Sequence, residues 1–173
     1  MVATRWDRGD AGGGILASME RETWQDRLGR EAYVSLFLAS NQFNEQIEQV
    51  CRAEGISHPQ YTVLWVLCLA DSPGGLPMGA LADGLLTRSA DATRLVDRLL
   101  VAGHVTREPS PEDRRVVLVS ATEQGLRLFG RVTDEIKALH RIQWGAFTKE
   151  ELRELTRLLN LARLSGGSGV PST

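Results

Sequence analysis

The stretch from Pro111 to Gly125, PEDRRVVLVSATEQG, constrains the fold more than any other part of the chain. It starts as a charged turn and runs into a β-type apolar run, Val116 to Val119. It closes on Thr122, a good N-cap, with Gly125 inside the first turn of the helix that follows. Just upstream, TRLVDRLLVAGHVTREP reads as an amphipathic helix stopped by Gly103 and followed by a short strand, His104 to Glu108. The two strands then make a hairpin tipped by Asp113, Arg114 and Arg115, standing directly after a one-sided helix.

The rest of the chain is helical by pattern. Tyr33, Leu36, Phe37, Ser40, Phe43, Ile47 and Val50 recur at three- and four-residue steps, which predicts a first helix from about Arg30 to Ala53, ended by Gly55. Ile15 to Leu28 also has helical character, as a separate helix or as an extension of the next. Ser57 with Gln60 is a capping-box pattern, and Pro59 is tolerated in the first turn of the second helix it opens. Tyr61, Leu64, Trp65, Leu67, Cys68 and Leu69 surround most of that helix, which places it centrally in the fold. After the turn Asp71 to Gly75 come a short helix, Met78 to about Leu85, and the helix from Arg88 to Ala102. Beyond the hairpin, Leu126, Phe129, Val132, Ile136, Leu139 and Ile142 form one stripe. Thr148 with Glu151 opens a last helix with Leu152, Leu155, Leu158 and Leu159 facing inward.

Helix, strand, arginine-tipped turn, strand is the layout of a winged helix-turn-helix, in which the helix before the wing enters a DNA groove. From about Glu31 to Arg163 the chain resembles, in order and spacing, the MarR family of bacterial transcription regulators. The resemblance is carried by Thr93-Arg94-Leu95-Val96-Asp97-Arg98-Leu99, Gly103, Asp113-Arg114-Arg115, Thr122 and Gly125. The expected fold is α+β and mostly helical, a winged helix-turn-helix with long N- and C-terminal dimerisation helices. A single domain over 15–164 would hold the winged part at about 57–121 and dimerisation helices at about 30–54 and 122–164. Polar, glycine-rich tails at 1–14 and 165–173 are expected to be disordered. The apolar stripes exceed what one small winged domain needs to cover, and the resemblance implies a symmetric homodimer through the terminal helices.

For DNA contact, the outer face of the Arg88 to Ala102 helix offers Arg88, Ser89, Ala90, Thr93 and Arg94. These are short or donor-bearing residues, as close approach to bases and phosphates requires. Asp91 among them repels phosphate unless it accepts from a cytosine amino group or caps locally. At the hairpin tip, Asp113, Arg114 and Arg115 form a charged turn whose guanidinium can reach a narrow minor groove. The resemblance implies that Arg115 enters that groove and that Asp113 holds it by a salt bridge. A net charge of −2 and a pI near 5.9 argue against a general polyanion binder. From Arg88 to Arg115 there are six arginines and five acidic residues, so the outcome depends on whether the arginines share a face. The expected function is a sequence-specific DNA-binding regulator, a ligand-responsive repressor seated as a dimer on a pseudo-palindromic operator. The rival is a small-molecule-binding or protein-interaction module of the same fold that has lost DNA binding.

Tyr33, Phe43, His58, Tyr61 and Trp65 are explained by a core, or by the wall of a pocket for a small aromatic effector of the kind MarR-like proteins bind. Cys51 and Cys68, both on apolar helical faces, do not form a disulfide framework and read as small core residues. His58, His104 and His140 lie in different elements, and no phosphate loop, HExxH, CxxC or nucleophile elbow is present. No catalytic residue, metal site or cofactor is implied. With no signal-peptide pattern and no long apolar run, the expected location is the cytoplasm, away from the membrane.

Overall fold

Four of the described helices begin where a threonine or serine side chain takes up one of their first amide groups. The structure, a computed structural model, describes residues 23–70, 72, 74–85 and 92–165. Helix α1 (Trp24–Ala53) opens on a reciprocal pair. Thr23 N and Oγ1 donate to Asp26 Oδ2 at 2.9 and 2.7 Å, and Asp26 N donates back to Thr23 Oγ1 at 3.2 Å. The helix therefore starts at Trp24 rather than Arg30, and Trp24 to Leu28 extends it. Helix α2 (His58–Leu69) has the expected capping box: Ser57 Oγ accepts from Gln60 N, and Gln60 Oε1 accepts from Ser57 N at 2.9 Å.

A two-residue strand β1 (Leu76–Pro77) leads into α3 (Met78–Gly84), then α4 (Ala92–Val101). The hairpin strands are β2 (Val105–Pro109) and β3 (Val117–Ala121), followed by α5 (Glu123–Gln143) and α6 (Lys149–Ser165). The antiparallel sheet has the order β1-β3-β2, with Leu76 opposite Val119 and the hairpin running from Val105 opposite Ala121 to Pro109 opposite Val117. Both hairpin strands begin one residue later than the sequence pattern suggests. Strand β1 is absent from that pattern, because two residues are too few to show an alternation.

Packing divides the chain into two units, residues 1–45 and 46–173, with the boundary inside α1. The core of the second unit gathers around α2, which packs on α3, α4, α5 and β3. Leu64, Leu81, Leu99, Leu128, Val96, Val119 and Val132 are among its largest fully buried side chains, and Cys51 at the end of α1 joins them. Helix α5 turns Leu128, Val132 and Ile136 inward, whereas Leu126 and Ile142, members of the expected stripe, are 50% and 80% exposed. Among the described residues of helix α6 none is fully buried. Its Leu152 and Leu155 are half-buried, and Leu158 and Leu159 are exposed rather than inward. In the first unit Trp24, Tyr33, Phe37 and Leu38 are also mostly exposed, with Tyr33 and Phe37 stacked at 6.1 Å.

Two glycines hold the junction between α4, the hairpin and α5. Gly103, at φ +76°, ends α4 in a left-handed turn: His104 N donates to Leu99 O at 2.8 Å and Gly103 N to Leu100 O at 3.0 Å. Gly125 is needed for space, since a Cβ there would stand 2.0 Å from His104 O. Gly125→Ala should therefore destabilise the protein by about 1–3 kcal/mol, as overpacking does. Gly130→Ala, on the same helix with nothing within 4 Å of its Cβ position, should stabilise it by about 0.5–1 kcal/mol. Urea unfolding of the two variants beside the wild type measures both signs.

Candidate nucleic-acid interface

The interface is built on the one-sidedness of α4. Ala92, Leu95, Val96 and Leu99 are buried, which leaves Thr93, Arg94 and Arg98 on the exposed face. Leu100 and Val101 at its end are 39% and 91% exposed, so the apolar stripe stops at Leu99. Arg88, Ser89 and Ala90, with Asp91, lie outside the described residues. Of the residues expected on this face, the structure places Thr93 and Arg94, both exposed.

The hairpin carries the other expected residues. Beyond its last strand pair the turn is closed by Ser110 N donating to Val116 O at 2.8 Å, and by Val116 N to Asp113 O at 2.9 Å. Glu112 N donates to Ser110 Oγ at 3.2 Å. Asp113, Arg114 and Arg115 are all exposed at the tip. Asp113 meets Arg115 differently from what the resemblance implies. Its Oδ1 accepts from the Arg115 backbone N at 3.0 Å, and among the described residues the two side chains form no ion pair. Asp113 thus shapes the peptide turn that presents Arg115 and leaves the guanidinium to solvent, a local side-chain-to-backbone bond favoured in turns.

The base of the hairpin is held to α4 and α5 by Thr122. Its N donates to His104 O at 3.0 Å, its Oγ1 donates to Gly103 O at 2.7 Å, and the same oxygen accepts from Gly125 N at 3.0 Å. Midway along β2, Arg107 reaches across to α4: Nη1 pairs with Asp97 Oδ1 at 2.5 Å, and Nη2 donates to Thr93 O at 3.2 Å. Sequence reasoning missed this contact. The one signal for it is a single charge, Arg107, two positions after Val105 on the inward side of an otherwise apolar strand pattern.

The sequence profile of the MarR family matches residues 54–116, the span from the end of α1 to the tip of the hairpin. A MarR transcription factor of Planctomyces limnophilus is 34% identical in its crystal structure, covering 76% of this chain and 95% of its own, with a TM-score of 0.59. The chain belongs to the MarR family. A curated relative, the HTH-type transcriptional regulator PrsX of Escherichia coli, is 31% identical over 134 residues, 78% of this chain and 80% of its own. The HTH-type transcriptional repressor IacR of Pseudomonas putida is 25% identical over 138 residues, 79% of this chain and 81% of its own. The MarR-family fold, a winged helix-turn-helix, accounts for the element order found here, and the protein is a transcriptional regulator by that membership.

The aromatic group in this MarR-family chain is spread over both units. Tyr33 is 66% exposed and, with half-buried Phe43, belongs to the first unit. In the second, Tyr61 stacks on Phe129 at 5.6 Å, and its hydroxyl is hydrogen-bonded to Thr133 Oγ1 at 3.1 Å. Those contacts account for Tyr61 within the core. Trp65 and His58 are half-buried on α2, and burial holds the His58 imidazole below its ordinary pKa against the pull of Glu48. A cavity of about 280 Å³ lies elsewhere, among α2, β1, β3 and α5, with Leu67, Cys68, Leu76, Ser120 and Leu126 in its wall. None of the five aromatic-group residues lines it. Among the described residues no helix is long and apolar enough to cross a membrane.

Both cysteines of the regulator are free thiols. Cys51 is fully buried; that burial, with Glu48 nearby, pushes its thiol up to about 11. Burial raises half-buried Cys68 as well. The reactive species is the thiolate, so at about pH 8 folded Cys51 should resist iodoacetamide, while Cys68 is labelled slowly and both react after unfolding. Peptide mass spectrometry reads the order; prompt labelling of Cys51 in the folded protein would contradict this core assignment.

Proposed function

We propose that this MarR-family regulator binds duplex DNA as a symmetric homodimer and represses transcription by occupying a promoter. In this reading α4 enters the major groove with Thr93 and Arg94 toward the bases, and the hairpin lays Arg115 against the minor groove. The two copies of α4 then address successive major grooves about 34 Å apart. The observation that carries it is the hairpin tip. Two exposed arginines stand on a turn pinned by Asp113, at the end of a hairpin tied through Thr122 and Arg107 to a helix whose outer face is exposed. The negative net charge does not oppose this, because phosphate attraction depends on where the arginines are placed rather than on the sum. Support for the dimer comes from α6: a 17-residue helix with no fully buried residue among those described, and with Leu158, Leu159, Leu161 and Leu164 exposed, has an apolar surface to cover.

Arg115→Ala should weaken binding to a duplex selected from a random pool. It should also flatten the salt dependence by about one unit of slope for each phosphate that Arg115 neutralises in each subunit. Asp113→Ala should weaken binding with the slope kept, since it loosens the turn and leaves the charge. Affinity measured against salt concentration tells the two apart. A folded Arg115→Ala variant with wild-type affinity and slope would move the rival, a MarR-fold module without DNA binding, ahead.

The dimer has its own test. Leu158→Glu with Leu159→Glu should give monomer or insoluble protein, because the charges would enter a covered apolar face. Light scattering at micromolar concentration reads the mass, and a wild-type monomer there would defeat the dimer.

A further inference from the structure

Arg107 is an anomaly in its strand. Across the hairpin it stands opposite Val119, which is fully buried, and two residues along its own strand lies Val105, 1% exposed. The inward side of β2 thus carries an arginine at a position surrounded by core valines, and its side chain is only 24% exposed. A covered guanidinium needs partners to offset its lost hydration. It finds them on α4, at Asp97 Oδ1 (2.5 Å) and Thr93 O (3.2 Å), while its Nε is buried with no acceptor among the described residues.

Thr93 and Asp97 lie one helical turn apart, so a single planar fork grips the start of α4 by a carbonyl and by a side chain. The apolar packing of α4 is of a different kind. Its stripe of Ala92, Leu95, Val96 and Leu99 gives non-directional attraction, which a small roll of the helix about its axis would hardly change. Its far end is fixed by the Gly103 turn. A charge-assisted, two-point contact does have direction, and rolling the helix breaks it.

We infer that Arg107 is a positioning residue for DNA recognition: by gripping Thr93 and Asp97 it sets the roll of α4 against the wing, and so the register of Thr93 and Arg94 on the bases, without touching DNA itself. The inference rests on the DNA-binding function proposed above. It deepens that function by coupling the two elements that address different grooves.

The alternative use of Arg107, as a direct phosphate contact, predicts the opposite sign for one variant. If Arg107 grips α4, Asp97→Asn removes a hold and weakens DNA binding. If Arg107 contacts phosphate, Asp97→Asn releases the guanidinium from its carboxylate and strengthens binding. The test uses the full chain with Arg107→Met, Arg107→Lys and Asp97→Asn, and a high-affinity duplex selected from a random pool. The first readout needs no DNA: amide hydrogen exchange over Thr93 to Asp97 should quicken in all three variants. Affinity should fall about ten- to a hundredfold in Arg107→Met and Asp97→Asn, what one hydrogen bond to a charged group is worth, with the salt slope unchanged. Arg107→Lys keeps the charge and loses the fork. It should fold, keep the slope and discriminate less among single-base variants of the duplex, which keeps the test decisive even if Arg107→Met does not fold.

Tighter binding by Asp97→Asn, or a flatter slope in Arg107→Met, would overturn the inference in favour of a phosphate contact. Lowered thermal stability with unchanged affinity and discrimination would overturn it in favour of a plain structural brace. If the wild type selects no duplex at all, the DNA-binding function fails, and unchanged exchange at Thr93 to Asp97 would then separately remove the grip.

Discussion

The winged part of the molecule depends on the contact between Thr122 and the Gly103–His104 turn. One threonine caps α5, closes the open end of the hairpin and hydrogen-bonds the turn that ends α4. Each of these bonds is worth about 1 kcal/mol net. Their effect is larger than the sum suggests, because they fix directions that apolar packing leaves free. Gly125 permits the arrangement, since a Cβ in its place would meet His104 O. The pattern Thr-x-x-Gly after a strand is therefore a packing requirement as much as a helix cap.

With the base of the hairpin held, its tip can be irregular and polar. Asp113 commits its carboxylate to the Arg115 backbone amide, so the turn is shaped without neutralising the arginine that it presents. An ion pair in the same place would hold the side chain but reduce the charge offered to a phosphate-lined groove. Halfway down the hairpin the choice is reversed: Arg107 is turned inward and committed to Asp97 and Thr93. Arginines along one hairpin thus meet two different environments, and those at the tip are the exposed ones. A chain with a negative sum of charges can in this way still present two exposed arginines, Arg114 and Arg115, beside Glu112 and Asp113.

Local chemistry was the most legible part of the fold. Ser57 with Gln60, Thr122 and the Gly103 stop each form the cap that their residue types imply, because a cap involves only groups three to five positions apart. The one-sided burial of α4 also followed from its periodicity. Strand limits shifted by a residue and β1 went unseen, since its two residues are a strand only because β3 lies beside them. On α5 the expected stripe held at Val132 and Ile136, but its Leu126 and Ile142 are exposed and Leu128, outside it, is buried. Several lines can be drawn through the apolar residues of this helix, and the positions of α2 and β3 select among them. The Arg107 grip was equally hidden. Nothing local pairs residues 97 and 107, and most charges in a sequence face solvent.

By itself the sequence determined the caps that open α2, α5 and α6 and the turn that ends α4, that a charged hairpin follows a one-sided helix, and the family whose spacing these residues share. Such features are set by neighbouring residues and by the periods of helix and strand, and both are written along the chain. The tertiary structure alone decided that Asp113 serves the backbone, that Tyr61 is tied to Phe129 and Thr133, that Arg107 faces α4, and that α6 leaves Leu158, Leu159, Leu161 and Leu164 exposed. Most of these turn on which groups meet across long stretches of chain, or on burial that only the assembled core defines. The free energy of such a contact depends on the desolvation around it, and that is a property of the packed molecule, not of the residue.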